Sequence, residues 1–416
     1  VLGSALACFA ADCLETASVL NTLQLIKKVV KTYSENAVLA SAFGMLIFNL
    51  KESDLAEVSV IFSEWTAHWQ SVAMDMSLSS SRRVAAVSGL SSLFGSLQIN
   101  QMAGSFSGSK PSAEEGVKIL KQLLNSQCDI HHTGNIYWNL GKLCFANKRL
   151  ISNLPTVSDT LDYIGEDSLL NLLIHVMIQL GKEANQESGE ILNIILRVLT
   201  DGPEEPLPPL NWKSILTPLV KIYIGTTTTV HILDFVLCSA SSPTMASFLP
   251  SWLTPSVISS FTTDCKVRLY SCLQQLVDIL SAKKFKDILE IGTRYFSHDE
   301  VGTKIAEAIL DGLYSILKMS ESPKSVLPYI KDTIEKIYHC CPSNLKMLLP
   351  KLAVCIQYLT ADEIETLTAP KEETFVKSIT IRREIILKNP SLRTKLLKPC
   401  VDFTLTSSKK YSYFIF

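Results

Sequence analysis

Residues 54–74 read DLAEVSVIFSEWTAHWQSVAM, and this stretch decides the fold. Leu55, Val58, Phe62, Trp65, Trp69 and Val72 follow one another in steps of three and four. That spacing places all six on one face of a helix, since 3.6 residues make a turn. Asp54 and Glu57 have the spacing of a capping box at its start. After the breaker Ser79-Ser80-Ser81, the residues Val87, Leu90, Phe94 and Leu97 repeat the pattern. The two segments read as antiparallel helices joined by a short polar turn.

Similar units continue outward from this pair. Ser112 and Glu115 are placed to cap a helix carrying Val117, Leu120, Leu123 and Leu124, and Gly134 opens another through Tyr137, Leu140 and Cys144. Ser297 with Glu300 precedes a stripe of Ile305, Ile309, Leu313, Ile316 and Leu317. Ser322-Pro323 begins the next, proline being well tolerated in a first turn, and its stripe is Ile330, Ile334 and Ile337. After Pro342 come Leu345, Leu348, Leu349, Leu352 and Ile356, and Thr360 with Glu363 marks a further start. The one stretch rich in β-branched residues, Ile222 to His231, is too isolated to make a sheet.

The fold class expected is all-α: a HEAT- or armadillo-like solenoid, a superhelix of antiparallel helix pairs recurring about every 40 residues. One such pair cannot bury its stripe alone, whereas stacked neighbours share a continuous core. The expected layout is a helical repeat block over 1–200, a proline-rich connector over 201–210 and a second block over 211–370. Basic C-terminal helices and a tail follow over 371–416. Asn100 to Pro111 reads as a polar loop rich in Gly and Ser.

Composition agrees with stacking. Of 416 residues, 47% are hydrophobic and only 19% charged, with a mean hydropathy of +0.22. Average domains carry about 25% charge, so much of this surface must be covered by protein. A net charge of −1 gives no global pull toward nucleic acid or an anionic membrane. From Lys371 onward, ten Lys or Arg stand against four Asp or Glu, which reads as a solvated basic face. The longest uncharged run, Phe235 to Thr263, contains Pro243, Pro250 and Pro255, which argue against a membrane span. The eleven cysteines show no C-x-x-C spacing, and Cys8, Cys144, Cys238 and Cys355 sit among apolar neighbours. They read as reduced, buried thiols of an intracellular protein. A start at Val1, without an initiator Met or a signal sequence, reads as a fragment or processed product.

No enzyme motif emerges. Gly141-Lys142 lacks the glycine run of a phosphate cradle, and Gly104-Ser-Phe-Ser-Gly108 has Phe where a nucleophile elbow needs Ser. Cys128, His131 and His132 are neighbours in sequence but lack a second ligand pair, so they read as a loop or helix cap. His339-Cys340-Cys341 reads as a helix end with buried thiols. No catalytic, cofactor-binding or metal-binding residue is assigned. The candidate protein-binding residues are Trp65, Trp69 and Trp212. Trp65 and Trp69, one turn apart, also suit core packing. Trp212 follows a proline run over 203–209, whose PxxP spacing at Pro206–Pro209 has no flanking Arg or Lys to orient a ligand. Asn211 is placed to cap the helix that Trp212 begins, with the indole folding back toward Leu196 or Leu199.

Gly202-Pro-Glu-Glu-Pro-Leu-Pro-Pro-Leu-Asn-Trp212, continued by Ile215-Leu-Thr-Pro-Leu219, resembles a segment of the focadhesin family, and Ser251-Trp-Leu-Thr-Pro-Ser-Val257 resembles its following block. Together these patches cover under a tenth of the chain. The resemblance implies an internal-to-C-terminal portion of a very large helical-repeat protein. It further implies a cytoplasmic protein of focal adhesions with vinculin as a partner, and a role in maintaining the SKI complex of cytosolic RNA decay. It supplies no catalytic residue. Two other readings compete: a HEAT-type adaptor in trafficking or nuclear transport, and a membrane-associated helical protein suggested by hydropathy alone.

Overall fold

The structure, a computed structural model, describes residues 16–50, 56–96, 112–125, 130–146, 169–182, 186–201, 207, 210–240, 242–296, 299–319, 324–340 and 348–406. Among the described residues every regular element is helical and no strand occurs. Ile222–His231, the stretch richest in β-branched residues, turns into the start of a helix. Two units are distinguished, Val1–Ile222 and Tyr223–Phe416.

The first unit contains α1 (Thr16–Thr32), α2 (Ala37–Leu50), α3 (Ala56–Met74), α4 (Ser80–Leu93) and α5 (Ala113–Leu124). They are followed by α6 (Ile130–Ala146), α7 (Leu169–Leu180), α8 (Gln186–Asp201) and α9 (Trp212–Ile222). Val58, Phe62, Trp65, Trp69 and Val72 are all buried, as their spacing requires. The α3–α4 turn is closed by Asp75, whose Oδ1 accepts from the Ser77 amide at 2.9 Å, and by Ser79, whose Oγ accepts from the Arg82 amide at 3.3 Å. Trp69 meets Gly89 and Phe62 meets Phe94, so the two helices run antiparallel.

Pairs stack into rows. Helices α2, α4, α6 and α8 form one row, each packed on the next. Ser41 Oγ donates to the Ser88 carbonyl, while Gly44 faces Ser92, so α2 and α4 run parallel. A Cβ added to Gly44 would lie 2.5 Å from the Gly89 carbonyl oxygen, so only glycine lets these two backbones approach so closely. Farther along the row, Ser91 Oγ reaches the Asn139 carbonyl at 3.2 Å. The partner row includes α1, α3 and α5, and also the packed pair α7 and α9.

The second unit repeats the scheme with α10 (Thr228–Cys238), α11 (Pro243–Trp252), α12 (Pro255–Ser260), α13 (Thr263–Ser271), α14 (Leu273–Leu276) and α15 (Ala282–Thr293). Then come α16 (Glu300–Leu317), α17 (Leu327–Cys340), α18 (Leu348–Ile356), α19 (Ala361–Leu367), α20 (Phe375–Lys388) and α21 (Arg393–Thr406). One row runs α10, α13, α16, α18, α20. Polar ties link successive members: Arg268 with Asp234, Lys351 with Asp311 at 2.8 Å, and Cys355 Sγ with the Leu310 carbonyl at 3.4 Å. In the other row Lys331 reaches Glu363 at 2.6 Å, and Lys395 pairs with Asp362. The ties from one pair to the next span 32 to 48 residues, which is the repeat length.

Several expectations are corrected. Ser112 stands at the start of α5, but its side chain makes no capping hydrogen bond. Gly134 does not open a helix; α6 begins at Ile130, and Gly134 sits inside it facing the Ile194 Cδ1 of α8. Helix α16 is capped by Asp299, whose Oδ1 accepts from the Gly302 amide at 2.7 Å, and Ser297 lies outside the described residues. Helix α17 starts at Leu327, beyond Ser322-Pro323, which also lie outside them, as do Asp54, Leu55, Leu97, Leu345 and the Asn100–Pro111 stretch. Cys238 and Cys340 are exposed rather than buried, whereas Cys355 is buried as expected. Pro218 and Leu219 of α9 lie beside Gly181 at the end of α7. Within the connector, only Asp201, Leu207 and Leu210 are described.

The Thr360–Glu363 capping box forms as its spacing requires. Lys331 beside Glu363, with the Thr360 amide and hydroxyl donating to the same carboxylate, holds its pKa down to about 2 from an ordinary 4.5. A carboxyl depressed in the folded state stabilises fully above its unfolded pKa and loses that contribution as pH falls toward the folded value. Helix α19 is therefore expected to lose protection between about pH 4.5 and 2. Amide exchange over residues 361–367 should show this loss, and Glu363→Gln should abolish the pH dependence in that window.

Candidate functional site

The three tryptophans singled out from sequence lie inside the packing. Trp65 is 1% exposed and Trp69 4%, with ring centroids 4.9 Å apart. Phe43 of α2 meets the Trp65 ring edge-on at 4.9 Å, so the cluster joins two helix pairs. A Cβ on Gly89 would come within 2.6 Å of the Trp69 ring, which therefore fills the space that glycine leaves. Trp212 is fully buried at the first position of α9. Asn211 caps that helix, its Oδ1 accepting from the Ser214 amide at 3.2 Å, as the sequence implied. Buried rings offer no face to a partner, so any effect on binding runs through helix placement.

Trp138, passed over in the sequence reading, is different. Of the five tryptophans it alone is half-exposed. It lies on α6 at the seam with α8, where Gly134 faces Ile194 and Gly141 faces Val198. Lys142 Nζ, one turn along α6, and Arg197 Cζ on α8 each stand 5.1 Å from its ring centroid. Cations at that distance are attracted to the ring face. Among the described residues neither cation has a carboxylate partner. Burial lowers the Lys142 pKa from its ordinary 10.5. The only local hint was the i, i+4 spacing of Trp138 and Lys142, because Arg197 comes from the next pair.

The basic C-terminal segment is not simply a solvated face. Lys377 and Arg382 of α20 are buried. Lys377 Nζ donates to the Tyr338 carbonyl at 2.6 Å, near the end of α17. The Arg382 guanidinium donates to the carbonyls of Thr368 at 3.0 Å, Glu365 at 3.0 Å and Leu396 at 2.6 Å. Lys377 thus satisfies a carbonyl in the last turn of α17 and Arg382 two at the C-terminus of α19, where the helix dipole also favours positive charge, while Leu396 lies in the first turn of α21. These are structural roles.

The focadhesin family model matches residues 21–397. The chain belongs to the focadhesin family. Focadhesin of Danio rerio is 20% identical over 403 residues, and that of Homo sapiens 20% identical over 392. Focadhesin of Mus musculus is 19% identical over 392 residues. In each case the match covers 91% of this chain but 22% of the relative, so the chain spans about a fifth of the length of these focadhesins. An engineered protein of known structure aligns over 93% of this chain and 94% of its own at 12% identity, but a TM-score of 0.39 is too low to carry an argument.

Focadhesin membership brings no enzyme name with it. Among the described residues no group of three His, Cys, Asp or Glu is placed to hold a metal ion. His132 is buried in the first turn of α6, and Cys128 lies outside the described residues. No helix among those residues is long and apolar enough to cross a membrane. The run from Phe235 to Thr263 is divided among α10, α11, α12 and the start of α13.

Proposed function

We propose that the chain is a non-enzymatic protein-binding scaffold, the repeat array of a focadhesin in the cytoplasm and at focal adhesions. Its partners in this reading are vinculin and the SKI complex of cytosolic RNA decay, the latter maintained by the interaction. The observation that supports it most is the focadhesin match over 21–397, which coincides with helix pairs stacked in rows. Rows of this kind bury their stripes against each other and leave long outward faces for partners. Purified chain, immobilised and offered purified vinculin or purified SKI complex, is expected to retain at least one of them. Retention of neither, by a chain shown to be folded by circular dichroism, would overturn the reading.

A further inference from the structure

We propose that Trp138, Lys142 and Arg197 form a docking site for an acidic segment of a protein partner, with a carboxylate between the two cations and an apolar side chain against the indole. The inference rests on reading the chain as a protein-binding scaffold and names a site and a partner chemistry for it.

Three observations carry it. First, the two positive groups converge on one ring, each 5.1 Å from its centroid, so they lie no more than about 10 Å apart. A single carboxylate beside the ring therefore lies within the screening length of about 8 Å of both cations. Second, many other cations of this chain already have carboxylates: Lys27 with Glu64, Lys304 with Glu300, Lys331 with Glu363, Lys351 with Glu307 and Asp311. Lys142 and Arg197 have only the indole among the described residues, so a partner carboxylate would meet no competitor among those residues. Third, the indole is the one tryptophan ring that reaches solvent, held on rigid helices at a seam packed by Gly134 and Gly141. A large, stiff ring beside charged groups suits an anchoring contact, for which Trp and Arg are favoured.

The local charge pattern selects among anions. Helix α8 also exposes Glu190 and Asp201, and Arg197 is its only Lys or Arg. A continuous phosphate backbone needs several cations in line and would meet those two carboxylates, whereas a single Asp or Glu side chain fits between them. Nucleic acid is therefore disfavoured.

The test uses the full chain and three labelled probes, read by fluorescence anisotropy. They are a glycine-serine decapeptide with one central Glu-Phe pair, the same peptide with lysine for glutamate, and a uracil decanucleotide. The acidic peptide is expected to bind in a salt-sensitive manner, and the lysine peptide is not. Arg197→Glu and Lys142→Gln should each weaken binding roughly tenfold, with the melting temperature unchanged because both side chains reach solvent. Trp138→Phe keeps an aromatic ring and should weaken it less than Arg197→Glu.

Failure of the wild-type chain to bind the acidic peptide overturns the proposal, as does undiminished binding by Arg197→Glu. Equal or tighter binding of the oligonucleotide, lost in the same variants, would replace it with a nucleic-acid site. Vinculin and SKI capture by the wild-type chain separates the two levels. If capture succeeds while the peptide fails, the scaffold reading stands and this site falls; if capture fails, the scaffold reading falls whatever the peptide does.

Discussion

Replacing Arg382 with methionine is expected to destabilise the α19–α21 end of the second unit by about 1–3 kcal/mol. Methionine keeps much of the volume but none of the donors. The carbonyls of Glu365, Thr368 and Leu396 would then be buried without that guanidinium. An unsatisfied buried acceptor costs about 1–3 kcal/mol; the loss falls mainly on the Glu365 carbonyl, because that of Thr368 keeps the Ser378 hydroxyl and that of Leu396 the Cys400 thiol. Lysine at the same place should recover little, because one ammonium cannot address three carbonyls on two elements in the planar fork that arginine presents. Hydrogen exchange over residues 361–406 localises the effect, with urea denaturation giving its size. A loss below about 1 kcal/mol would mean that water or neighbouring hydroxyls replace the guanidinium, and the keystone role would be wrong.

Trp69→Ala is the second large effect, about 3–5 kcal/mol, now in the first unit. The ring lies against Gly89, with Phe43 and Trp65 at 6.2 Å and 4.9 Å between centroids. Glycine cannot extend to fill the space an alanine would leave. Phe62 meets Phe94 across the same helix pair, so collapse of one wall strains the other. A thermal melt run beside a partner pull-down decides what the residue does. A lowered melting temperature is expected; an unchanged melt with lost binding would make Trp69 a contact residue instead.

The helix faces were legible because burial imposes a period on the sequence. Val58 through Val72, Ile330 through Ile337 and Leu348 through Ile356 repeat at three and four because one side of each helix meets protein. The Thr360–Glu363 box was legible for a related reason: all its partners lie within four residues. What was hidden depends on other helix pairs. Gly134 looked like a boundary because glycine breaks isolated helices, yet it lies inside α6 facing Ile194 of the next pair. Arg382 looked solvated because charge on a helix normally is, and only the converging ends of α19 and α21 make burial tolerable. Asp299, not the expected Ser297, caps α16, because such a choice turns on backbone geometry one residue at a time. Trp138 carried no sign of exposure, since a tryptophan in an apolar helix reads the same whichever way it faces.

The ties that join successive pairs reach across only 32 to 48 residues of chain. Contacts so near in sequence close small loops, and low contact order is associated with fast folding. Each helix pair can therefore dock on its predecessor as soon as it is synthesised, without waiting for a distant segment to arrive. The same geometry sets the response to a pulling force. Tension applied along a row would strip one pair at a time, so each unit would lengthen in steps of a repeat rather than rupture at once.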